Sequence, residues 1–289
     1  MTKKVSDRPV WVNVLYWFLT IFSAFLLAFC IKSFAFELVR VDGESMLDTL
    51  HNGEILLVTK FDYGSFWATV PFQASDVQES STRLTFGTSD IKRSDVVIVR
   101  YPAQGITNFV KRVVGLPGDH IALKDGLLYV NGELYDEPYI ADEYRVNHSE
   151  YDDEFFDYLD NMDAFIVPKS GDVVTFVEDQ SDSGLVELLV NGHSWYWYGI
   201  ASDMIAENGD VLRVTSDTIF LNDVDILAND QLSDLVGREF VIKDDLYFVM
   251  GDHRNNSSDS RVIGPVNRSD IIGHVRHVVF PFDVWRSVN

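Results

Sequence analysis

The chain is poor in basic residues and contains one cysteine. Of its 289 residues, 45 are Asp or Glu and 23 are Lys or Arg, so the formal net charge is −22. Such an acidic surface repels phosphates and anionic lipid headgroups, which argues against a nucleic-acid partner and against membrane binding through a basic patch. Cys30 has no partner for an internal disulfide. A hydrophobic content of 46% excludes a wholly disordered chain.

Long apolar runs are absent except near the start of the sequence. Between Val10 and Ile31 the only ionisable side chains are Tyr16 and Cys30. As a helix, this run would span about 33 Å, which is the thickness of a bilayer core. No later uncharged apolar stretch reaches about 18 residues. The sequence therefore predicts one transmembrane anchor at residues 10–32.

The charges that flank this run predict its orientation. Basic residues precede it, namely Lys3, Lys4 and Arg8. By the positive-inside rule, residues 1–9 lie in the cytoplasm and everything after Lys32 lies outside the membrane. A cleaved secretion signal is an alternative because Ser33-Phe34-Ala35 has small residues two apart, but signal cores are shorter. A lipid-modified Cys30 fits poorly because Phe29 precedes it, and a buried core helix fits poorly with the flanking charges.

Beyond the anchor the pattern is mainly β, and no long helix is predicted. Short β-branched or aromatic runs predict strands at Glu54–Val58, Asp95–Val99, Asn108–Val114, Phe240–Met250 and Ile271–Phe280. Within residues 121–135, the turns Asp125-Gly126 and Asn131-Gly132 predict a three-stranded meander. The same turn signal at Asn191-Gly192 predicts an aromatic strand at Trp195–Tyr198.

Two segments are predicted to be insertions. Residues 66–94 are polar with weak periodicity, and residues 141–160 hold eight acids and one base, Arg145. A solvated acidic face is the favoured interpretation of the second segment. A metal cluster stays open, although no fixed calcium-loop spacing is present.

One lysine has the sequence context of a catalytic base. The chain has no HExxH zinc motif, and residues 43–47 (GESML) lack the last glycine of a nucleophile elbow. In the strand predicted around Lys111, alternation places Phe109, Lys111 and Val113 on one face. Burial among apolar side chains lowers a lysine pKa and makes the amine a usable general base. The alternative is a lysine at a sheet edge whose ammonium reaches water.

Two polar segments complete the set of candidates. Ser45 follows Asp42-Gly43-Glu44 and needs a base to become a nucleophile. Taken alone, it reads more simply as a turn or cap residue. Residues 251–261 (GDHRNNSSDSR) also read, taken alone, as a polar loop.

Together, these segments resemble the bacterial type I signal peptidases, the membrane serine proteases that remove secretion signals. The resemblance follows the order of the family's motifs and runs through residues 10 to 264. After the anchor, its motifs lie at residues 43–50 (GESMLDTL), 53–64, 110–119 (VKRVVGLPGD), 251–254 (GDHR) and 257–261 (SSDSR). Residues 141–240 match no motif.

The resemblance implies a role for each matched position. Ser45 is expected to be the nucleophile, Lys111 the general base, and Ser257 the serine that orients the lysine. Asp259 and Arg261 are expected to brace the site, and Arg112 with Asp252 to form a second brace. The Ser45 backbone N–H is expected to be the main donor to the oxyanion. Some members add a serine hydroxyl two residues upstream, but that position is Gly43 here.

The resemblance also implies a mainly β fold and a function. A catalytic β domain is expected at residues 33–119 and 249–289, and an inserted, variable β domain with the acidic segment at 120–248. The expected activity is removal of signal peptides from secretory preproteins with small residues at positions −1 and −3. It takes place at the outer side of the cell membrane, and no metal or cofactor is needed.

Two positions depart from the family pattern. Asp48 stands where proline is usual, so the turn after Ser45 lacks a fixed φ, and its carboxylate could keep Lys111 charged. His253 replaces a common asparagine, which we expect to be harmless. Asp48 motivates one alternative, an inactive relative that acts as a membrane-anchored binding or assembly factor. Another is a related protease that processes pilin subunits.

Overall fold

The structure is a computed structural model. It describes residues 9–30, 35–63, 65–66, 84–85, 89–101, 107–146, 159–178, 186–195, 200–215, 218–229 and 231–288.

The apolar run near the start forms one continuous helix, α1 (Val10–Cys30), of 21 residues. Its residues Val10–Phe29 have a mean hydropathy of 2.0 and none of them is buried against the rest of the chain. The helix is therefore long and apolar enough to cross a membrane. It ends at Cys30, two residues before the predicted end of the anchor, and residues 31–34 lie outside the described part.

Everything described after α1 is dominated by strands, as predicted. In chain order they are β1 (Phe36–Arg40), β2 (Ile55–Thr59), β3 (Ser65–Phe66), β4 (Leu84–Thr85), β5 (Val96–Tyr101), β6 (Thr107–Gly115), β7 (His120–Lys124), β8 (Leu127–Val130), β9 (Glu133–Leu134), β10 (Phe165–Ile166), β11 (Val173–Glu178), β12 (Val186–Val190), β13 (His193–Ser194), β14 (Ile200–Ile205), β15 (Val211–Val214), β16 (Ile219–Leu221), β17 (Val224–Asp225), β18 (Glu239–Ile242), β19 (Leu246–Met250), β20 (Val266–Asn267), β21 (Ile271–Phe280) and β22 (Arg286–Ser287).

The described helical segments that follow are short. Two α-helices have four residues each, α2 (Asp142–Arg145) and α3 (Ser260–Ile263). Single 3₁₀ turns are found at Leu232–Leu235, Arg254–Asn256, Arg268–Asp270 and Phe282–Val284. Within the described ranges, the prediction that no long helix follows the anchor is confirmed.

The first sheet carries the candidate residues. Its strands follow the order β1-β2-β21-β5-β6-β19-β20, and β22 pairs with β21. All these pairs are antiparallel. Apolar clusters cover both faces, because Val96 and Ile98 of β5 pack in one cluster and Val97 and Val99 in another. This explains why β5 is a continuous run of β-branched residues, as expected for a strand buried on both sides.

Two further sheets are built from the middle of the chain. One has the order β10-β7-β8-β9 and the other β13-β12-β11-β18-β14-β15-β16-β17. A single cluster of buried residues joins them and also includes Phe248 and Met250 of β19. The strands of these sheets come from residues 120–242, which fall within the predicted insertion at 120–248. The division into two domains stays a prediction.

The predicted turns set the register of the hairpins. Asn131 and Gly132 have φ of 54° and 84°, and Asn191 and Gly192 have φ of 50° and 80°. Two positive φ values in succession are typical of the tight hairpin turns that suit twisted strands. The meander of β7, β8 and β9 is confirmed by its pairing.

Of the strand predicted at Trp195–Tyr198, only Trp195 is described, so the prediction stays untested for the other three residues. The described strand after the turn at 191–192 is β13 (His193–Ser194), and Val190 pairs with His193 directly across the turn. A two-residue turn begins the return strand at once, so the strand starts before the aromatic residues. Trp195 lies outside the strand, and residues 196–199 lie outside the described part.

The two predicted insertions are only partly described. Of residues 66–94, the described ones are 66, 84–85 and 89–94, and β3 pairs with β4. In the acidic segment, Asp142 and Glu143 are exposed in the first turn of α2 and Asp160 is buried. Residues 147–158, which carry the other five acids, lie outside the described part.

Candidate active site

Ser45 lies in the connection between β1 and β2. The chain turns through residues 45–49, and the Leu50 N–H donates to the Met46 carbonyl at 2.8 Å. Met46 and Leu50 are 2% and 0% exposed and belong to the apolar cluster on one face of the first sheet. Burial of these two side chains fixes the turn on the sheet and leaves Ser45 only half-buried beside it.

Lys111 lies in β6, which is an interior strand between β5 and β19. It is 1% exposed, and its Nζ donates a hydrogen bond of 2.8 Å to Ser45 Oγ. The Nζ also lies 5.8 Å from the centre of the Phe109 ring, which agrees with the predicted shared face. The alternative of an edge lysine that reaches water is therefore wrong.

The environment of Lys111 favours its neutral form. Burial lowers its pKa to about 8, and Arg261 acts in the same direction, whereas Asp259 and Asp252 oppose the shift. Burial dominates because an ammonium loses its hydration inside the protein. Asp48 is exposed, and the carboxylates that act most strongly on the lysine are Asp259 and Asp252. A neutral amine 2.8 Å from a hydroxyl can accept its proton.

Asp259 and Arg261 form a buried ion pair next to the lysine. The Arg261 Nε and Nη2 each donate to the Asp259 carboxylate at 3.0 Å, and both side chains are at most 1% exposed. Asp259 also caps α3 by accepting from the Arg261 N–H, and it accepts from the Gly251 N–H at 3.0 Å. Burial alone would raise the Asp259 pKa, but Arg261 and Lys111 outweigh it and hold the pKa below its usual range.

Arg112 and Asp252 form a second buried pair. Arg112 Nε and Nη2 donate to the two carboxylate oxygens of Asp252 at 2.8 and 2.7 Å. The third nitrogen, Nη1, donates to the Ser94 carbonyl at 2.8 Å, and the guanidinium lies 3.7 Å from the centre of the Tyr139 ring. The Thr49 hydroxyl also donates to Asp252, so this pair reaches the turn that carries Ser45.

Gly251 allows the last motif to approach Ser45 closely. A Cβ at this position would lie 2.3 Å from Ser257 Oγ and 2.4 Å from the Ser45 carbonyl oxygen, too close for either atom. The next residue but one, His253, donates its N–H to the Ser45 carbonyl at 3.1 Å, and its Nδ1 lies 3.0 Å from the Glu44 carbonyl oxygen. Only glycine fits between the turn that carries Ser45 and Ser257.

Ser257 is near the site but is not hydrogen-bonded to the lysine. Its hydroxyl is buried and has no hydrogen-bond partner among the described residues. The structure thus brings Ser45 and Lys111 together and surrounds them with both ion pairs, while the orienting role of Ser257 stays a prediction. Within the described ranges, no three His, Cys, Asp or Glu side chains come close enough to hold a metal ion.

Several residues at the site were not assigned a role from the sequence. Thr49 and Arg254 lie inside quoted motifs, which was a usable signal. Arg254 forms a buried ion pair with Glu137 and donates to the Gly251 carbonyl through Nε at 3.1 Å. Glu137 and Arg286 lie far from the motifs in the chain, and no local pattern marks them.

Known proteins are similar to this chain along almost its whole length. The family model described as signal peptidase, peptidase S26, matches residues 14–280. Signal peptidase I P of Bacillus subtilis subsp. natto is 27% identical over 94% of this chain and 91% of its own. Signal peptidase I of Pseudomonas aeruginosa is 27% identical over 99% of this chain and 76% of its own. Signal peptidase I S of Bacillus subtilis is 26% identical over 96% of this chain and 95% of its own.

A solved structure gives a weaker match. The crystal structure of a signal peptidase I from Enterococcus faecalis aligns with 65% of this chain and 97% of its own at 18% identity and a TM-score of 0.31, which is too low to support an argument. The family model, in contrast, covers more than half of the chain and the motifs around Ser45 and Lys111. The chain therefore belongs to the signal peptidase family, peptidase S26.

Proposed function

We propose that this chain is a membrane-anchored serine endopeptidase that removes N-terminal signal peptides from secretory preproteins with a Ser45–Lys111 dyad. One observation carries the mechanism: a buried lysine with a pKa of about 8 lies 2.8 Å from the serine hydroxyl. An exposed lysine would stay charged at neutral pH and could not accept a proton. Family membership and the names of the relatives support the reaction.

In the first half of the reaction, Lys111 takes the proton of Ser45 while Oγ attacks the carbonyl carbon of the scissile bond. The oxyanion forms next to the Ser45 N–H, which donates to it. As the tetrahedral intermediate collapses, the protonated Lys111 gives its proton to the leaving amine. The mature protein departs, and the signal peptide stays attached to Ser45 as an ester.

In the second half, Lys111 acts as the base again. It takes a proton from a water molecule, whose oxygen attacks the ester carbonyl, and it returns that proton to Ser45 Oγ as the ester breaks. The two ion pairs fix residues next to Ser45 and Lys111, because Asp259 accepts from the Gly251 N–H and Asp252 accepts from the Thr49 hydroxyl. The resemblance implies that small residues fill the substrate positions −1 and −3.

The proposed location follows from α1 and the family. The helix is long enough to anchor the chain, and the basic residues before it favour a cytoplasmic N-terminus with the site on the other side. A reporter fused after Asn289 tests the orientation, because it should be active only outside the cytoplasm. An active reporter in the cytoplasm would reverse the proposed topology.

The direct test is cleavage of a preprotein by the purified chain in detergent. The wild type should release the mature protein with a single new N-terminus, read by mass spectrometry, and Ser45→Ala should release none. Ser170→Ala, at an exposed serine outside the site, is the matched control and should cleave normally. A wild-type chain that binds preproteins without cleaving them would favour the inactive relative. Cleavage of pilin subunits alone would favour the pilin-processing enzyme.

A further inference from the structure

The turn that carries Ser45 is held from two sides by contacts to Thr49. On one side, the Thr49 hydroxyl donates to Asp252 and accepts from Arg112 Nη2 at 3.2 Å. On the other side, the Thr49 carbonyl accepts from Arg286 Nη2 at 2.8 Å. Arg286 lies in β22, and 237 residues separate it from Thr49 in the chain. Arg286 itself lies outside all the family motifs, whereas Thr49 belongs to the motif at residues 43–50.

The guanidinium of Arg286 is itself fixed by Glu54. Its Nη1 and Nη2 donate to the two carboxylate oxygens of Glu54 at 2.7 and 3.0 Å. The Glu54 side chain is 6% exposed, and that of Arg286 is 35% exposed. A two-point contact between a guanidinium and a carboxylate sets the orientation of the arginine as well as its position. The same Nη2 that binds Glu54 is thereby directed at the Thr49 carbonyl.

The residue after the strand that carries Arg286 is buried in the same apolar core as the turn. Val288 follows β22, is 5% exposed, and belongs to the same apolar cluster as Met46 and Leu50. Its N–H donates to the Arg276 carbonyl at 3.0 Å. Met46 directly follows Ser45, so β22 reaches the turn through a hydrogen bond and the residue after β22 shares the turn's apolar cluster.

We propose that Arg286, held by Glu54, is a positioning residue that fixes the turn after the nucleophile through the Thr49 carbonyl. This inference rests on the proposed function for its effect on catalysis. Asp48 is exposed and does not pack the turn onto the sheet, so the part of the turn that follows Ser45 is held by Thr49, Met46 and Leu50. Arg286 does not touch the reacting atoms and acts only through the placement of Ser45 relative to Lys111.

The test compares Arg286→Gln with Arg276→Gln. Arg276 is the matched control because it also pairs with a nearly buried carboxylate, that of Asp62, through Nε and Nη2 at 3.0 and 2.8 Å. Displacement of a reacting group by about 1 Å can cost about 100-fold in rate. We therefore expect Arg286→Gln to lower kcat by about 10-fold or more with KM within about twofold, and Arg276→Gln to change neither.

Two further variants separate the hydrogen bond from the charge. Arg286→Lys keeps the charge next to Glu54, but a single ammonium does not reproduce the fork that binds Glu54 and Thr49 together. It should also lower kcat. Glu54→Gln/Arg286→Gln also removes the nearly buried carboxylate that would otherwise be left without its arginine, so it should keep the fold and still lose kcat. Wild-type kcat in either variant would overturn the inference.

Hydrogen exchange distinguishes a failure of this inference from a failure of the proposed function. The Leu50 amide bonds to the Met46 carbonyl across the turn. Its exchange should become faster in Arg286→Gln and stay unchanged in Arg276→Gln, whether or not the chain is a peptidase. If the wild type cleaves no preprotein but exchange at Leu50 responds as expected, the proposed function fails and the positioning role stands. Unchanged exchange at Leu50 together with normal kcat would overturn the positioning role.

Discussion

Lys111 Nζ lies 2.8 Å from Ser45 Oγ, although 66 residues separate the two in the chain. The contact joins a turn on one side of the first sheet with one of its interior strands. It exists because Met46 and Leu50 pack the turn onto the same sheet that buries the lysine. Ser45 and Lys111 are therefore brought together by core packing.

The activity should depend on pH through Lys111. The amine must be neutral to take the serine proton, and its pKa is lowered to about 8 by burial. Because kcat/KM reports ionisation of the free enzyme, it should rise with pH with a midpoint of about 8. A midpoint near 10.5, the ordinary value, would mean that burial does not tune the base.

Replacement of the lysine should stabilise the fold at neutral pH while it abolishes activity. Between pH 8 and 10.5 the unfolded chain holds a proton on Lys111 that the folded chain has lost. The free energy of unfolding of the wild type therefore rises with pH through this window. Lys111→Met has no amine at this position and cannot show this rise. The free energy of unfolding of Lys111→Met minus that of the wild type should therefore fall by about 3 kcal/mol between pH 7 and pH 11.

Denaturant unfolding at the two pH values measures this difference. Lys92→Met, at an exposed position, is the control for the loss of a lysine. If the stability of Lys111→Met keeps a constant offset from the wild type at both pH values, the lysine is not buried as a neutral amine.

The ion pair of Arg112 and Asp252 should be costly to break from one side. Asp252→Asn leaves a guanidinium with 0% side-chain exposure and no counter-charge, which costs about 3–5 kcal/mol. Asp203→Asn is the control, because Asp203 pairs with Arg213 at the surface with 37% and 47% exposure, where such pairs contribute about 0–1 kcal/mol. Urea unfolding measures both, and equal losses would contradict the role of burial.

Gly251→Ala should damage the site more than the fold. Its Cβ would lie 2.4 Å from the Ser45 carbonyl oxygen and so push the turn that carries Ser45 away. Gly273→Ala is matched to it, since its Cβ would lie 2.8 Å from the Thr59 carbonyl oxygen within the sheet. Both should lower the melting temperature, but we expect a loss of kcat per folded molecule only for Gly251→Ala. A similar loss in both would show that Gly251 has no special link to Ser45.

Ser257→Ala separates function from stability. The Ser257 hydroxyl is buried without a hydrogen-bond partner among the described residues, so its removal should leave the melting temperature unchanged or slightly higher. If the hydroxyl orients Lys111 during the reaction, as the resemblance implies, kcat should fall nonetheless. Full activity in this variant would show that the Ser257 hydroxyl has no role in the reaction.

The sequence alone determined the parts of this protein that depend on local patterns. The apolar run predicted α1, because the length of such a helix follows from the number of consecutive apolar residues and not from contacts with other parts of the chain. The glycine turns predicted the meander of β7 to β9, because a left-handed backbone at Asn131 and Gly132 closes only a tight hairpin. The lysine with apolar neighbours and the motifs in family order indicated Ser45 and Lys111 before any contact was known.

Only the tertiary structure decided what surrounds that pair. The carboxylates near Lys111 come from residues 252 and 259, whereas Arg286 reaches the turn from β22, 237 residues along the chain, and no period or spacing in the chain relates these residues. Even the edge or interior position of Lys111 depended on where β19 pairs with β6. Strand order follows from long-range packing, so the lowered pKa of Lys111 and the support of the turn that carries Ser45 were decided by the fold rather than by any single segment.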